Sequence, residues 1–183
     1  MPQSCAVPLP IAIPATFKLD QYRTAGGESQ REEPSGKERP LSPVITQVRV
    51  RYAETDQMGI VYYANYLVWF ELGRVELLRS LGLAYSQLEK EHECILPVVE
   101  ARCRYRSPAR YDDEILIETR PAMMRGSVLK FDYRIFRKLS QEAQERELLA
   151  EGETVHVVCD DQLQRKPLPE KYVEALRALM DGE

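Results

Sequence analysis

Beyond residue 43 the chain shows the two periodicities of secondary structure. Val44, Thr46, Val48, Val50 and Tyr52 alternate with Gln47, Arg49 and Arg51, which predicts a half-buried strand over 44–52. Helix-forming residues then run from Asn65 to Leu81, ahead of Gly82. They are apolar nearly all round: Tyr66, Leu67, Val68, Trp69, Phe70, Leu72, Val75, Leu77, Leu78 and Leu81. A helix with so little polar surface is expected to be buried on most sides. Gly73 costs such a helix about 1 kcal/mol against Ala, and close approach of another backbone is the expected reason. Four more strand patterns follow: Val99 to Tyr105, a shorter run Ile115 to Thr119, Leu129 to Ile135, and Leu148 to Cys159. Turn residues separate them at Ser107-Pro108, Asp112-Asp113, Arg125-Gly126 and the polar stretch Ser140 to Glu147. A terminal helix is predicted over Leu168–Met180, begun by Pro169. Consecutive strands on short loops should pair antiparallel. The order strand, helix, four strands, helix therefore reads as an α+β domain whose sheet of about five strands wraps the long apolar helix.

The first 43 residues differ. They hold seven of the twelve prolines, and from Lys18 to Pro43 only Leu19, Tyr22, Ala25 and Leu41 are hydrophobic. Such a stretch buries too little apolar surface to offset its ordering entropy, so residues 1–43 read as a disordered Pro-rich tail and 44–183 as the folded domain. The run Val7 to Ala15 lacks a basic flank and is broken by prolines, so it is not read as a signal peptide.

Composition narrows the function. Lys plus Arg number 25 and Asp plus Glu 29, a net charge of −4, which argues against a dedicated nucleic-acid binder. No apolar run of about 18 residues exists to cross a membrane as a helix. The four cysteines (Cys5, Cys94, Cys103, Cys159) form no C-x-x-C pair, and His92 and His156 are the only histidines, so no metal site is expected. The cysteine usage suits a reducing compartment, hence the cytoplasm.

The chemistry concentrates in Glu54 to Tyr66, ETDQMGIVYYANY, which joins the first strand to the long helix. A helix N-terminus presents unpaired N–H groups and a partial positive charge, a combination that stabilises an oxyanion. Asp56 stands just ahead of it, and Gly59 permits a tight turn or close approach to a ligand. A carboxylate beside N–H donors suits acyl-group hydrolysis, since the donors polarise the carbonyl while the carboxylate activates water or attacks. The competing reading is that Asp56 is a helix cap, a common role for Asp before a helix. Spacing alone favours the cap.

The stretch YAETDQMGIVYYANYLVWFELGR, Tyr52 to Arg74, resembles the signature of the YbgC-like acyl-CoA thioesterases, relatives of the 4-hydroxybenzoyl-CoA thioesterases. CRYRSPARYDDEILIET (Cys103 to Thr119), MRGSVLKFDYRI (Met124 to Ile135) and AEGETVHVVCDDQLQRKPLP (Ala150 to Pro169) agree in the same order, so the resemblance covers roughly Gln47 to Leu176. It implies a hotdog fold, an antiparallel sheet wrapped around a long helix, and acyl-CoA hydrolysis. It places Asp56 on the catalytic carboxylate, as base or as nucleophile through a mixed anhydride. Tyr63, seven residues on, falls where an aromatic residue lends its backbone N–H to the thioester carbonyl. The YbgC branch usually has His there, so Tyr63 is a departure that leaves the main-chain donor and removes an imidazole. Tyr52 matches a Tyr of the pattern and, with Gly59, is assigned to substrate binding. No cofactor or metal is implied, coenzyme A entering as part of the substrate. Homodimers, often paired into homotetramers, are implied as well.

Other candidates rank lower. Glu71 lies in the long helix but has Arg74 close enough in sequence to pair. His156 reads as a structural histidine on a strand, and Cys94, Cys103 and Cys159 as small buried hydrophobes. No G-x-S-x-G is present for a serine hydrolase. Arg125, Lys130, Arg137, Lys138, Arg165 and Lys166 are the basic residues from which phosphate ligands for coenzyme A would come. The alternatives are a non-hydrolytic acyl-thioester-binding module, or a hotdog dehydratase, which would want a histidine beside the carboxylate.

Overall fold

A computed structural model describes residues 43–140 and 145–181. The expectation for the Pro-rich tail lies outside the described residues, Pro43 excepted. The strands are β1 (Val44–Arg49), β2 (Val98–Tyr105), β3 (Glu114–Arg125), β4 (Val128–Lys138) and β5 (Arg146–Val157); the helices are α1 (Asn65–Ser80), α2 (Tyr85–His92) and α3 (Glu170–Asp181). The strands form one sheet in the order β1-β3-β4-β5-β2, every pair antiparallel.

Helix α1 packs against β1, β2, β3 and β4. Its buried residues are Tyr66, Trp69, Phe70, Gly73, Arg74, Leu77 and Leu78, the i, i+3, i+4, i+7 stripe of a helix seated on one surface. The expectation of burial on most sides is thereby corrected. Val68 is 52% exposed and Leu67 41%, because a single sheet layer covers only one face of the helix. The α1 terminus is closed by two main-chain bonds, Leu83 N–H to Leu78 O and Gly82 N–H to Arg79 O, with Gly82 at φ 72°. This is the Schellman arrangement, and it needs the left-handed residue that Gly supplies.

Gly73 does mark a close approach, but to side chains rather than backbone. A Cβ at Gly73 would stand 2.3 Å from Thr119 Oγ1 and 2.7 Å from Ile117 Cγ2, both on β3. On β5, a Cβ at Gly152 would meet the Phe70 ring at 2.4 Å and the Arg102 carbonyl oxygen at 2.5 Å. Phe70 instead stacks on Tyr133, ring centroids 4.3 Å apart.

The pairing expected between β2 and β3 does not form. They are separated by β5 and β4, about 14 Å away at ordinary strand spacing. The eight residues from Arg106 to Asp113 make that crossing, well within their extended reach of about 26 Å. Their polar main chain is committed elsewhere: Arg106 N–H to Leu149 O (2.8 Å), Val61 N–H to Ala109 O (2.8 Å) and Val50 N–H to Asp113 O (2.9 Å). Strand β3 is also longer than its apolar core suggested. It continues through Pro121, where the register with β4 shifts. Pro121 is buried and sits at that bulge, beyond the last described pair with β1 at Thr119, so it interrupts no described β1–β3 pair. Helix α2 was not anticipated: of its eight residues only Leu88 is buried, too little to register as a periodicity. Helix α3 begins at Glu170, one residue past Pro169 and two past the expected start, and buries Tyr172 and Leu176.

Gly73→Ala is expected to lower the stability of the fold by about 1–3 kcal/mol despite the better helix propensity of Ala, because the new methyl overlaps β3. Urea unfolding checks this, and a midpoint equal to or above that of the wild type would show that β3 yields to the methyl group.

Candidate active site

The chain from β1 to α1 is a closed loop rather than an open linker. A turn of 3-10 helix, Tyr52–Glu54, follows β1. Thr55 and Val61 then form an antiparallel bridge, flanked by Tyr62 N–H to Glu54 O (2.9 Å) and Asp56 N–H to Ile60 O (2.9 Å). The tip turns through Gly59 at φ 71°, with open space where a side chain would stand. The glycine is therefore required by the turn and not by crowding.

Asp56 does not cap α1. Its Oδ1 accepts the Met58 N–H at 2.8 Å, bracing its own turn. Among the described residues no donor reaches Oδ2, and the side chain is half-buried. Helix α1 has Ala64 at its N-cap and no side-chain cap. Its first amides bond within the chain, Asn65 N–H to Tyr62 O (2.9 Å) and Leu67 N–H to Ala64 O (3.1 Å). The N–H groups of Tyr63 and Ala64, by contrast, reach no acceptor among the described residues. They sit at the positive end of the helix, where an oxyanion is stabilised.

Aromatic residues surround the loop. The Tyr62 and Tyr63 rings lie 4.4 Å apart, and Tyr105 donates its hydroxyl to Tyr63 O at 3.1 Å. Burial and the Cys103 thiol push Tyr105 up to about 12, so it stays protonated as that donor. The Tyr62 hydroxyl is pushed up mainly by its neighbour Tyr63, with the Asp56 charge contributing. Tyr52 is 78% exposed and packs edge-on to Tyr111 at 5.6 Å. From below, Tyr66 Oη accepts the Ala109 N–H at 3.1 Å and so holds the crossing segment against α1.

A model of the thioesterase-like superfamily matches residues 50–176. The chain belongs to the thioesterase-like superfamily. The acyl-CoA thioester hydrolase YbgC of Escherichia coli is 38% identical over 128 residues, 69% of this chain and 90% of that one. The crystal structure of Slr0204, a 1,4-dihydroxy-2-naphthoyl-CoA thioesterase from Synechocystis, is 25% identical with a TM-score of 0.64, covering 73% of this chain and 94% of that one. A 4-hydroxybenzoyl-CoA thioesterase structure shares the fold, with a TM-score of 0.66 at 21% identity over 74% of this chain and 99% of that one. The sheet wrapped on a long helix is thus the hotdog fold.

In this thioesterase the remaining candidates fall into place. Glu71 is exposed and makes no ion pair with Arg74, which turns into the core and directs Nη1 to Tyr133 Oη at 3.4 Å. The Cys94 and Cys159 side chains are buried and Cys103 is half-buried, all three as free thiols. Four of the six basic residues considered for phosphates already serve the fold. Lys130 pairs with Glu153, Arg137 with Asp113 and Glu147, and Lys138 with Glu114, while Lys166 Nζ bonds the His92 and Glu93 carbonyl oxygens. A concavity of about 970 Å³ lies elsewhere, lined by Arg102, Arg120, Asp132 and Glu153 on the sheet and Leu179 of α3. No group of His, Cys, Asp and Glu among the described residues is arranged to hold a metal.

His156 is fully buried on β5. Its Nδ1 faces Leu96 O at 3.1 Å and its Nε2 faces Thr154 Oγ1 at 2.8 Å. A carbonyl only accepts, so Nδ1 carries the proton and Thr154 donates to Nε2. Burial, reinforced by the Arg74 charge, holds its pKa down to about 4. As pH falls from 6.5 toward 4 the unfolded chain takes up a proton that the folded chain refuses. His156 should therefore remove on the order of 3 kcal/mol of stability across that window. Urea midpoints of wild type and His156→Gln at pH 7 and pH 4.5 test this, and the wild type should lose more stability on acidification than the variant.

Proposed function

We propose that the protein hydrolyses acyl-CoA thioesters to the free acid and coenzyme A, with Asp56 as general base or nucleophile and the Tyr63 N–H as a donor to the thioester carbonyl oxygen. One observation carries this reading. Among the described residues, the loop that leaves Asp56 Oδ2 without a donor is the loop that leaves the Tyr63 N–H without an acceptor. A carbonyl oxygen held by that amide gains negative charge as the carbon is attacked, at a point where the helix end favours it. As a base, Asp56 takes a proton from water while the oxygen of that water bonds to the carbonyl carbon. The carbon–sulfur bond then breaks and the thiolate recovers the proton. As a nucleophile, Oδ2 itself bonds to the carbon, the thiolate leaves, and water cleaves the resulting anhydride. Both routes balance with water as the only co-reactant and coenzyme A entering with the substrate.

Tyr52 and Gly59 are assigned to the substrate-facing side of this loop, supported by the exposure of Tyr52 and the open space at Gly59. The names of YbgC and Slr0204 support an acyl-CoA substrate and keep short, medium and aromatic acyl groups within range. The dehydratase reading gains nothing from His156, whose ring nitrogens are both engaged in the core. The binding-module reading rests on Asp56 bracing its own turn, and release of free thiol separates it from hydrolysis.

We place the enzyme in the cytoplasm as a homodimer or homotetramer. Strand β2 pairs with β5 alone among the described strands, and Val98 on it is 50% exposed. With Leu67 and Val68 of α1, this is apolar surface and an open strand edge of the kind that proteins normally cover.

Asp56→Asn should keep the far-UV circular dichroism and the affinity for acyl-CoA while losing at least ~100-fold in kcat. Thiol release from butyryl-CoA and benzoyl-CoA at the wild-type rate would refute the assignment. Light scattering should give a multiple of the chain mass, and Val68→Lys should reduce that multiple; a wild-type monomer would refute the assembly.

A further inference from the structure

Glu54 and Glu118 are the described carboxylates that fall among the buried residues. Glu118 is paired with Arg146 on the sheet, whereas Glu54 stands two residues before Asp56 and has no part in the reaction as proposed. Its carboxylate is unusually well supplied. Oε2 accepts the Arg51 main-chain N–H at 2.7 Å, and Oε1 accepts the Arg51 guanidinium at 3.1 Å and the Trp69 indole N–H at 3.3 Å. Burial alone would push its pKa up. The Arg51 guanidinium, the Arg51 amide and the Trp69 indole outweigh that and hold it below the usual carboxylate value.

The main chain of the same residue makes a second set of contacts. Glu54 O accepts the Tyr62 N–H at 2.9 Å and the Asn65 Nδ2 at 2.8 Å. The loop from Glu54 to Asn65 is closed by its own bridge, but that bridge fixes only the internal shape of the loop. Beyond the local bonds where the loop runs into the helix, Glu54 at the start of the loop reaches across to α1, through Asn65 in its first turn and Trp69 in its second. Trp69 is 2% exposed and packs on Tyr66 at 4.9 Å, so it is an anchored donor and not a mobile one. The Arg51 guanidinium favours the charged carboxylate but is mostly exposed, so the buried Trp69 indole is the donor with a fixed place.

We infer that Glu54 is a positioning residue, its carboxylate joining the Arg51 amide to the Trp69 indole so that the loop bearing Asp56 is held in one orientation against the α1 amides. This rests on the reading of Asp56 and the Tyr63 amide given above. Displacing a reacting group by about 1 Å costs up to ~100-fold in rate while leaving substrate affinity largely intact.

The test is a set of variants assayed for thiol release from butyryl-CoA and benzoyl-CoA, with kcat and KM separated. Glu54→Ala is expected to lower kcat by roughly 30-fold with KM within about two-fold. Glu54→Gln keeps one oxygen acceptor but turns an NH2 toward the other of the two N–H donors, so it should recover only part of that loss. Trp69→Phe keeps the ring and loses the N–H, and should lower kcat about ten-fold. Adding Trp69→Phe to Glu54→Ala should lower kcat no further, since Glu54→Ala already removes the acceptor that the Trp69 N–H uses. If Glu54→Ala does not fold, Glu54→Gln and Trp69→Phe carry the test. The inference is overturned by wild-type kcat in Trp69→Phe, by additive losses, or by a loss in Glu54→Ala that tracks the folded fraction. Asp56→Asn, run alongside, keeps the two readings apart. An inactive Asp56→Asn with an unaffected Trp69→Phe removes the role of Glu54 alone, and an active Asp56→Asn removes both.

Discussion

Helix α1 lies on the inner face of the sheet so closely that two glycines are obligatory, Gly73 beneath Thr119 and Ile117 and Gly152 beneath the Phe70 ring. Everything else about the molecule is arranged around that contact. The stripe from Tyr66 to Leu78 supplies the apolar area whose removal from water drives folding. The same seating sets where α1 begins, and so where its first amides face. The site proposed at the α1 N-terminus would be only as well placed as the helix, and the helix is held by side chains that leave no room to slide.

The core is not wholly apolar. Arg74 is 6% exposed, no carboxylate pairs with it among the described residues, and its Nε has no hydrogen-bond partner. It heads a chain of donors that runs in one direction: Arg74 Nη1 to Tyr133 Oη, Tyr133 to Thr154 Oγ1, and Thr154 to Nε2 of His156, whose Nδ1–H ends on Leu96 O. Each hydroxyl both accepts and donates, so the direction is set by the two ends, a guanidinium that only donates and a carbonyl that only accepts. A buried cation is costly, and its position beside the neutral imidazole is one reason that His156 resists protonation. This network connects β4 and β5 beneath α1 and keeps the polar groups of the core in one register.

The loop between β1 and α1 shows how a small segment is given a fixed shape without a large core of its own. Its bridge, the Asx turn at Asp56 and the left-handed Gly59 are local. Ala109 and Tyr105 come from a distant part of the chain and hold it from below, through Val61 and the Tyr63 carbonyl oxygen. The segment crossing from β2 to β3 is therefore more than a connection. It is the floor on which the loop rests, which is why its main chain is bonded to the loop and to β5 and not folded into a hairpin.

Much of this was legible in one dimension. Alternation at Val44–Val50 and Leu129–Ile135, the apolar run of α1, its stop at Gly82 and the turn at Gly59 follow from side-chain period and backbone preference, which are properties of neighbouring residues. The family motif placed Asp56 and Tyr63 on one segment for the same reason. Helix α2 was illegible because one buried leucine makes no period. The missing β2–β3 pair was illegible because hydrogen-bond partners for Arg106 to Asp113 lie up to 63 residues away in sequence, as between Val50 and Asp113. The partners of Glu54 and the inward turn of Arg74 were likewise hidden, since at i+3 Arg74 looks like a surface partner of Glu71. Sequence by itself determined the elements, their order and which segment carries a carboxylate ahead of a helix. Only the tertiary structure decided which face of α1 is covered, which charges are buried, and what bonds each main-chain donor of the loop, because those depend on contacts between residues that the chain brings together only after it folds.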